Sequence, residues 1–285
     1  MSRSLSPLFI AIWLSIYAAA FISCGGEEAP RCENGPTLFG RPSAMTGLTS
    51  DQCAPSCSCG AEGKVWTAPE YSADEVAALL EWKLENPPDE LLSDPYLLGE
   101  PETRTGDEVC AVMKDSMDKR RYRLESFESP EAAIASGGHI THTGPCGLCS
   151  SLADLAVYLG RPDLTDPVRA CGAQNLPPAE DLYAKRDEHI ACLLELDFTL
   201  PCAQIWYYNT LNTRLACIDS CIALLGAPHH NPDGSLNECI QCDEDISGPV
   251  FKAYAGRTRR NTAMASELCR PCEEVFPIEH DYARD

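Results

Sequence analysis

The chain has 285 residues, 44% of them hydrophobic and 23% charged, with a formal net charge of −21. That is enough apolar content to bury a core, and too acidic a balance for a protein that grips nucleic acid or anionic headgroups through a basic face. Seventeen cysteines raise the question of compartment before any question of chemistry.

Residues 1–23 have the three parts of a secretory signal. Arg3 gives a positive start, Leu8 to Ile22 is apolar apart from Ser15 and Tyr17, and the small Ser23 follows. Fifteen residues at about 1.5 Å each fall short of a hydrocarbon core of about 30 Å, so the segment reads as a signal and not an anchor helix. The stretch Phe21-Ile22-Ser23-Cys24 resembles the lipobox of bacterial lipoproteins, although Phe21 stands where that family usually has leucine. The resemblance implies cleavage before Cys24, a diacylglyceryl group on its sulfur and a soluble tether over residues 24–31. It places the mature protein outside the cytoplasm, held to the bacterial cell envelope by lipid alone. The alternative is an ordinary cleaved signal, with secretion and Cys24 in a disulfide.

Setting Cys24 aside leaves sixteen cysteines, an even number that in an exported chain fits up to eight disulfides in place of zinc sites. Residues 32–64 read as a Cys-rich lead-in with few large apolar side chains, dependent on bridges to fold. Residues 65–285 read as one mainly α domain with minor β content, closed by a loop-rich stapled tail. The spacing of Ser72 and Glu75 predicts a capped helix whose apolar stripe runs through Leu84 and ends at Asn86-Pro87-Pro88. A surface connector follows, then a short helix over Cys110 to Met117 and a strand over Tyr122 to Phe127. Ser129-Pro130 starts a helix that ends at Gly137-Gly138. Further helices are expected from Leu148 to Leu159, Thr165 to Cys171, Pro178 to Leu196 and Pro201 to Leu225, the last interrupted near Asn209 and Asn212. Cys217 and Cys221 share a helix face and suit two separate bridges. Asn231-Pro232-Asp233-Gly234 is a turn.

The stretch from Gly137 to Gly160 holds two of the six histidines and two of the seventeen cysteines in a setting that suggests chemistry. Gly144-Pro145-Cys146-Gly147-Leu148-Cys149-Ser150 resembles the active-site stretch of papain-like cysteine peptidases. The resemblance implies a structural Cys146 and a nucleophilic Cys149 at a helix N-terminus, where the thiol pKa falls, with His229, His230 and His280 downstream as possible bases; His142 and His139 are catalytic candidates within the segment itself. Thr143 stands where that family has its oxyanion-hole glutamine, and Ser150 where it has tryptophan. Cys146-Gly147-Leu148-Cys149 also has the local form of a thioredoxin-like redox dithiol. His139 and His142 could supply two ligands to zinc or copper, sharing a face on a turn or helix but not on a regular strand. The plainer alternative makes both histidines hydrogen-bonded loop residues and both cysteines structural bridges.

Arg257, Arg259 and Arg260 form a second cluster, a candidate site for an anionic group. Internal pairing with the acidic run at Asp243 to Asp245 is its alternative. Two functions are therefore carried forward. One is a lipid-anchored enzyme with a thiol- or metal-dependent site at His139, His142 and Cys149. The other is a non-catalytic envelope lipoprotein that binds a ligand or protein partner, with the Cys146–Cys149 segment purely structural.

Overall fold

The computed structural model describes residues 32–33, 38–59, 64–99, 106–118, 120–161, 163–178 and 180–282. The expected signal, lipobox Cys24 and tether lie outside them. The described chain is mainly helical, with small sheets and seven disulfides.

The lead-in holds five short strands: β1 (Cys32–Glu33), β2 (Leu38–Phe39), β3 (Cys53–Ala54), β4 (Ser56–Cys59) and β5 (Lys64–Thr67). It does not stand apart as an extension. Cys53–Cys269 and Cys57–Cys272 staple it to the tail, and Phe39 and Arg270 exchange both backbone hydrogen bonds, at 2.7 and 3.0 Å. Phe39 is fully buried in a small core that includes Val275 and Ile278 of the tail. The two loop-rich ends thus supply each other's missing apolar surface.

Helix α1 (Ala73–Leu79) begins at the expected capping box, with Ser72 Oγ accepting from the Glu75 amide and Glu75 Oε2 accepting from the Ser72 amide. It stops before Lys83–Leu84, which is strand β6 and not helix. Asn86 explains the early stop. Its side-chain amide donates to Leu124 O and accepts from Leu124 N, prolonging the ladder that β6 makes with its neighbour. The residues expected as a helix from Cys110 are instead β7 (Val109–Lys114), buried on both faces at its start. A short apolar run of this kind has no helical period to betray it. β8 (Arg121–Phe127), α2 (Pro130–Ala135) and β9 (His139–Thr143) complete a four-stranded sheet of order β6-β8-β7-β9.

Helices α3 (Leu152–Gly160), α4 (Thr165–Gln174), α5 (Arg186–Leu194), α6 (Leu200–Ala223) and α8 (Gly248–Ala255) share a core with one face of this sheet, and α7 (Glu238–Cys242) packs on α6. The main core joins Cys110, Val112, Tyr122 and Leu124 of the strands to Leu152 and Leu155 of α3, Leu193 of α5 and Ile205 of α6. The other sheet face packs Val109 and Ala111 against Ala133 of α2. Asn209 and Asn212 do not break α6. Their amides turn outward to Asp243 and Ser247, so they leave the helical backbone intact. Tyr207 and Tyr208 are core residues.

Cys217–Cys242 and Cys221–Cys239 form two rungs between α6 and α7, and Cys171–Cys192 joins α4 to α5. Between α7 and α8 the chain keeps winding through a π-helical turn, Asp243–Ser247. Such turns are frequent where a protein shapes a site.

Alkylation of the denatured, unreduced protein should leave the fourteen bridged cysteines unlabelled in a peptide map. The double variant Cys53→Ser/Cys269→Ser should lose about 2 to 5 kcal/mol of stability in denaturant titration. Labelling at Cys149 or Cys202 would contradict the assigned pairing.

Candidate functional site

His139 and His142 lie on a strand, yet they face the same way. Along β9, His142 pairs with Cys110 and His139 with Val112, two residues that share a face of β7. The register shifts between Cys110 and Ala111, which leaves Thr141 as an extra residue on β9. This β-bulge reverses the alternation that would otherwise send positions i and i+3 to opposite sides.

The two imidazoles do not converge on a ligand. His139 Nε2 donates to Glu279 O at 2.7 Å, and its ring packs on Tyr282. His142 is wholly buried, with Nδ1 donating to Thr143 O at 3.0 Å. That bond fixes the tautomer, so Nε2 accepts from Ser150 Oγ at 2.7 Å. Both nitrogens of His142 are therefore committed to protein partners. Among the described residues, no three His, Cys, Asp or Glu side chains group to hold a metal ion, so the expected zinc or copper site finds no ligand set.

The thiol nucleophile is corrected as well. Cys149 Sγ is bonded to Cys202 and Cys146 Sγ to Cys110, so neither a thiolate nor a mutual dithiol exists. Nor does Cys149 sit at a helix N-terminus. Helix α3 begins at Leu152, capped by Ser151, whose Oγ accepts from Asp154 N. The preceding turn has a different task. Leu148 N donates to Tyr254 O and Cys149 N to Ala255 O, satisfying carbonyls at the C-terminal end of α8. The backbones touch there. A Cβ on Gly256, at φ +70°, would lie 2.8 Å from Ser150 Oγ, so glycine is required on both grounds.

Ser150 and His142 make the contact of a nucleophile and its base, a pairing not expected from the sequence. Both are wholly buried, and Ser150 Oγ already accepts from the Gly147 amide at 2.8 Å. The contact is a packing device closed to substrate.

The three expected anion-binding arginines separate into different roles. Arg257 is wholly buried and donates to Thr141 O and Oγ1, Cys149 O and Ser150 O, at 2.6 to 3.1 Å. The extra residue of the β9 bulge thus supplies two of its four acceptors. Arg259 donates to Tyr158 O and Arg161 O, covering the exposed carbonyls where α3 ends. Arg260 pairs with Glu244 and Glu274. Glu244 belongs to the acidic run that sequence offered as an internal partner.

A cavity of about 380 Å³ lies between α4, α6, α7, the π-helical turn and the segments around Thr258 and Arg270. No motif in the sequence pointed to it. Tyr158, Trp206 and Phe251 form its inner wall, while Leu176, Ile222 and Leu225 line its mouth and are 55, 59 and 76% exposed. The overlooked signal was the run Leu211, Leu215, Ile218, Ile222 and Leu225, whose spacing of four and three marks an apolar seam longer than the core uses. Tyr158 Oη and Trp206 Nε1 are buried beside one another without a well-formed hydrogen bond. The broader depression of about 540 Å³ near residues 90–97 is open, and polar groups on its rim are already paired, Tyr183 with Asp94 and Gln204 with the Leu91 amide.

Replacing Arg257 by methionine should cost more than about 3 kcal/mol in denaturant titration, because buried carbonyls lose their donors. Acidification should also destabilise the protein. Burial pushes His280 down to about 3, His189 to about 4 and His142 well below its ordinary value. The unfolded chain protonates these groups below about pH 6.5, so their contribution is complete above that pH and is lost as pH falls toward the folded values. Asp154 acts in the opposite sense. Burial raises it to about 6, and its contribution fades as pH rises through that value. Burial also lowers His230 and raises Asp163 and Asp243; four histidines outweigh three carboxyls, and the thermal midpoint should drop by more than about 5 °C between pH 7 and 4.5. An unchanged midpoint would contradict this.

Residues 186–278 match the sequence profile of a family of unknown function, DUF8771. The matched span runs from α5 through α6, α7 and α8 into the tail, and so contains much of the cavity's lining. No curated protein and no solved structure matches the chain.

Proposed function

We propose that this is an exported, lipid-anchored binding protein of the bacterial cell envelope, which holds a small apolar ligand in the cavity beside α6. The observation that carries the reading is the cavity itself. Its volume falls within the range of small-molecule sites, roughly 300 to 1,000 Å³. Its walls are largely aliphatic and aromatic, and its mouth leaves Ile222 and Leu225 in water, where apolar side chains gain by being covered. Seven disulfides support an oxidising compartment, and the lipobox-like stretch before Cys24 supports anchoring. The alternative of a thiol-dependent enzyme loses its nucleophile to the Cys149–Cys202 bridge.

A neutral solvatochromic dye such as Nile red should bind saturably at one site per chain, with a rise in emission. Ile222→Asp, which places a charge at the mouth without touching the core, should weaken dye binding by at least about fivefold. Absence of saturable binding would sink the reading. Separately, full-length protein expressed in a bacterial host should partition into the detergent phase of Triton X-114, and Cys24→Ala should move it to the aqueous phase.

A further inference from the structure

The cavity inverts the charge of the molecule that contains it. In a chain of net charge −21, the cavity is lined by six cationic side chains and two carboxylates. The carboxylates are already engaged. Asp243 accepts from Thr213 and Asn209, and Glu244 pairs with Lys252 and Arg260. That leaves Arg169, Arg214, Arg259 and Arg270 without a carboxylate bonded to them among the described residues. Arg169 bonds to the Cys239 sulfur and feels Asp243 only through space, and Arg214 makes only a long contact to Pro177 O.

Arg270 is the most exacting of these. It is 6% exposed, its Nη2 donates to Met264 O at 3.1 Å, and its Nε is buried with no partner. Burial, with Arg260 and Arg259 nearby, pushes its pKa down to about 9, against the opposing pull of Glu274 and Glu244. A buried guanidinium with no carboxylate in direct contact and one N–H unbonded is costly unless an acceptor arrives. Arg214 Nη1 is a further buried donor without a partner on the same cavity, and Tyr158 Oη, set beside Trp206 Nε1, still has its O–H to donate. Such a set of donors beside an aliphatic wall is the complement of one kind of molecule.

We infer that the ligand is a single-chain amphiphile with an anionic head, its head bound through Arg270 and neighbouring donors and its chain lying along α6 toward Ile222 and Leu225. This rests on the cavity being a ligand site. It extends that reading from an apolar ligand to a charged one, and it moves the anion-binding role to Arg270, outside the Arg257 to Arg260 run.

The test displaces Nile red from the purified, fully oxidised protein with dodecanoate, dodecyl phosphate or dodecanol. At least one anion should bind tenfold or more tightly than dodecanol. Preference for dodecanoate identifies a fatty-acid-like ligand, and preference for dodecyl phosphate a phosphate ester. Arg270→Gln should reduce the favoured anion to the level of dodecanol while leaving dodecanol binding unchanged. The comparison on the unaltered protein stands even if that variant misfolds, and Arg214→Gln, at a partly exposed position, offers a second variant with a smaller loss expected. Equal affinity for dodecanol and both anions overturns the inference while the cavity remains a ligand site. If the dye binds nowhere and no amphiphile binds by calorimetry, the underlying reading fails with it.

Discussion

One buried guanidinium holds the two halves of this molecule in register. Arg257 leaves the C-terminal end of α8 and enters the interior, where its hydrogen bonds all go to oxygens of the backbone and of Thr141, and the buried Asp154 carboxylate acts on it only through space. Those oxygens come from the edge strand β9 and from the turn before α3. The bulge in β9 exists at the residue that Arg257 binds, and the close approach of Gly147 and Gly256 brings the turn within its reach. Sheet, turn and helix therefore depend on one another through a group that none of them could bury alone. Desolvating such a charge is expensive, so its acceptors must be fixed, and the two disulfides flanking the turn fix them.

The same economy governs the rest of the cationic side chains. A protein with nearly twice as many acids as bases could spread its arginines over the surface as ion pairs, each worth little. Several of them instead turn inward, onto helix ends, carbonyls and the lining of the cavity. The acidic exterior then favours solubility, while the interior keeps a local positive potential that solvent screens poorly.

Much of the architecture was legible in the sequence, because the signals there are local. The capping box at Ser72, the proline start at Pro130 and the period of α6 all report on neighbours three or four residues away. Errors arose where partners are distant. β7 gave no alternation because both its faces are covered, and Asn86 ended a helix by pairing with Leu124. The candidate site fared worse for the same reason. Cys149 at a glycine-rich turn has the local look of a nucleophile, and only Cys202, 53 residues away, decides that it is a bridge. The histidine pair was noticed correctly, but the bulge that aligns them serves Arg257. Arg270 sits inside the Cys269-Arg270-Pro271-Cys272 pair, whose spacing reports on the cysteines alone, and its own surroundings are assembled from Met264, Arg259, Arg260, Glu244 and Glu274.

The paired rungs between α6 and α7 have a mechanical consequence. Two cross-links four residues apart on one helix, three apart on the other, make that side of the cavity a stiff beam that cannot shear or splay. The facing helix α4 is bridged only to α5, not to the beam. Covalent stiffness around the cavity is therefore one-sided: the α6–α7 wall is cross-linked, while α4 is held against it by packing alone.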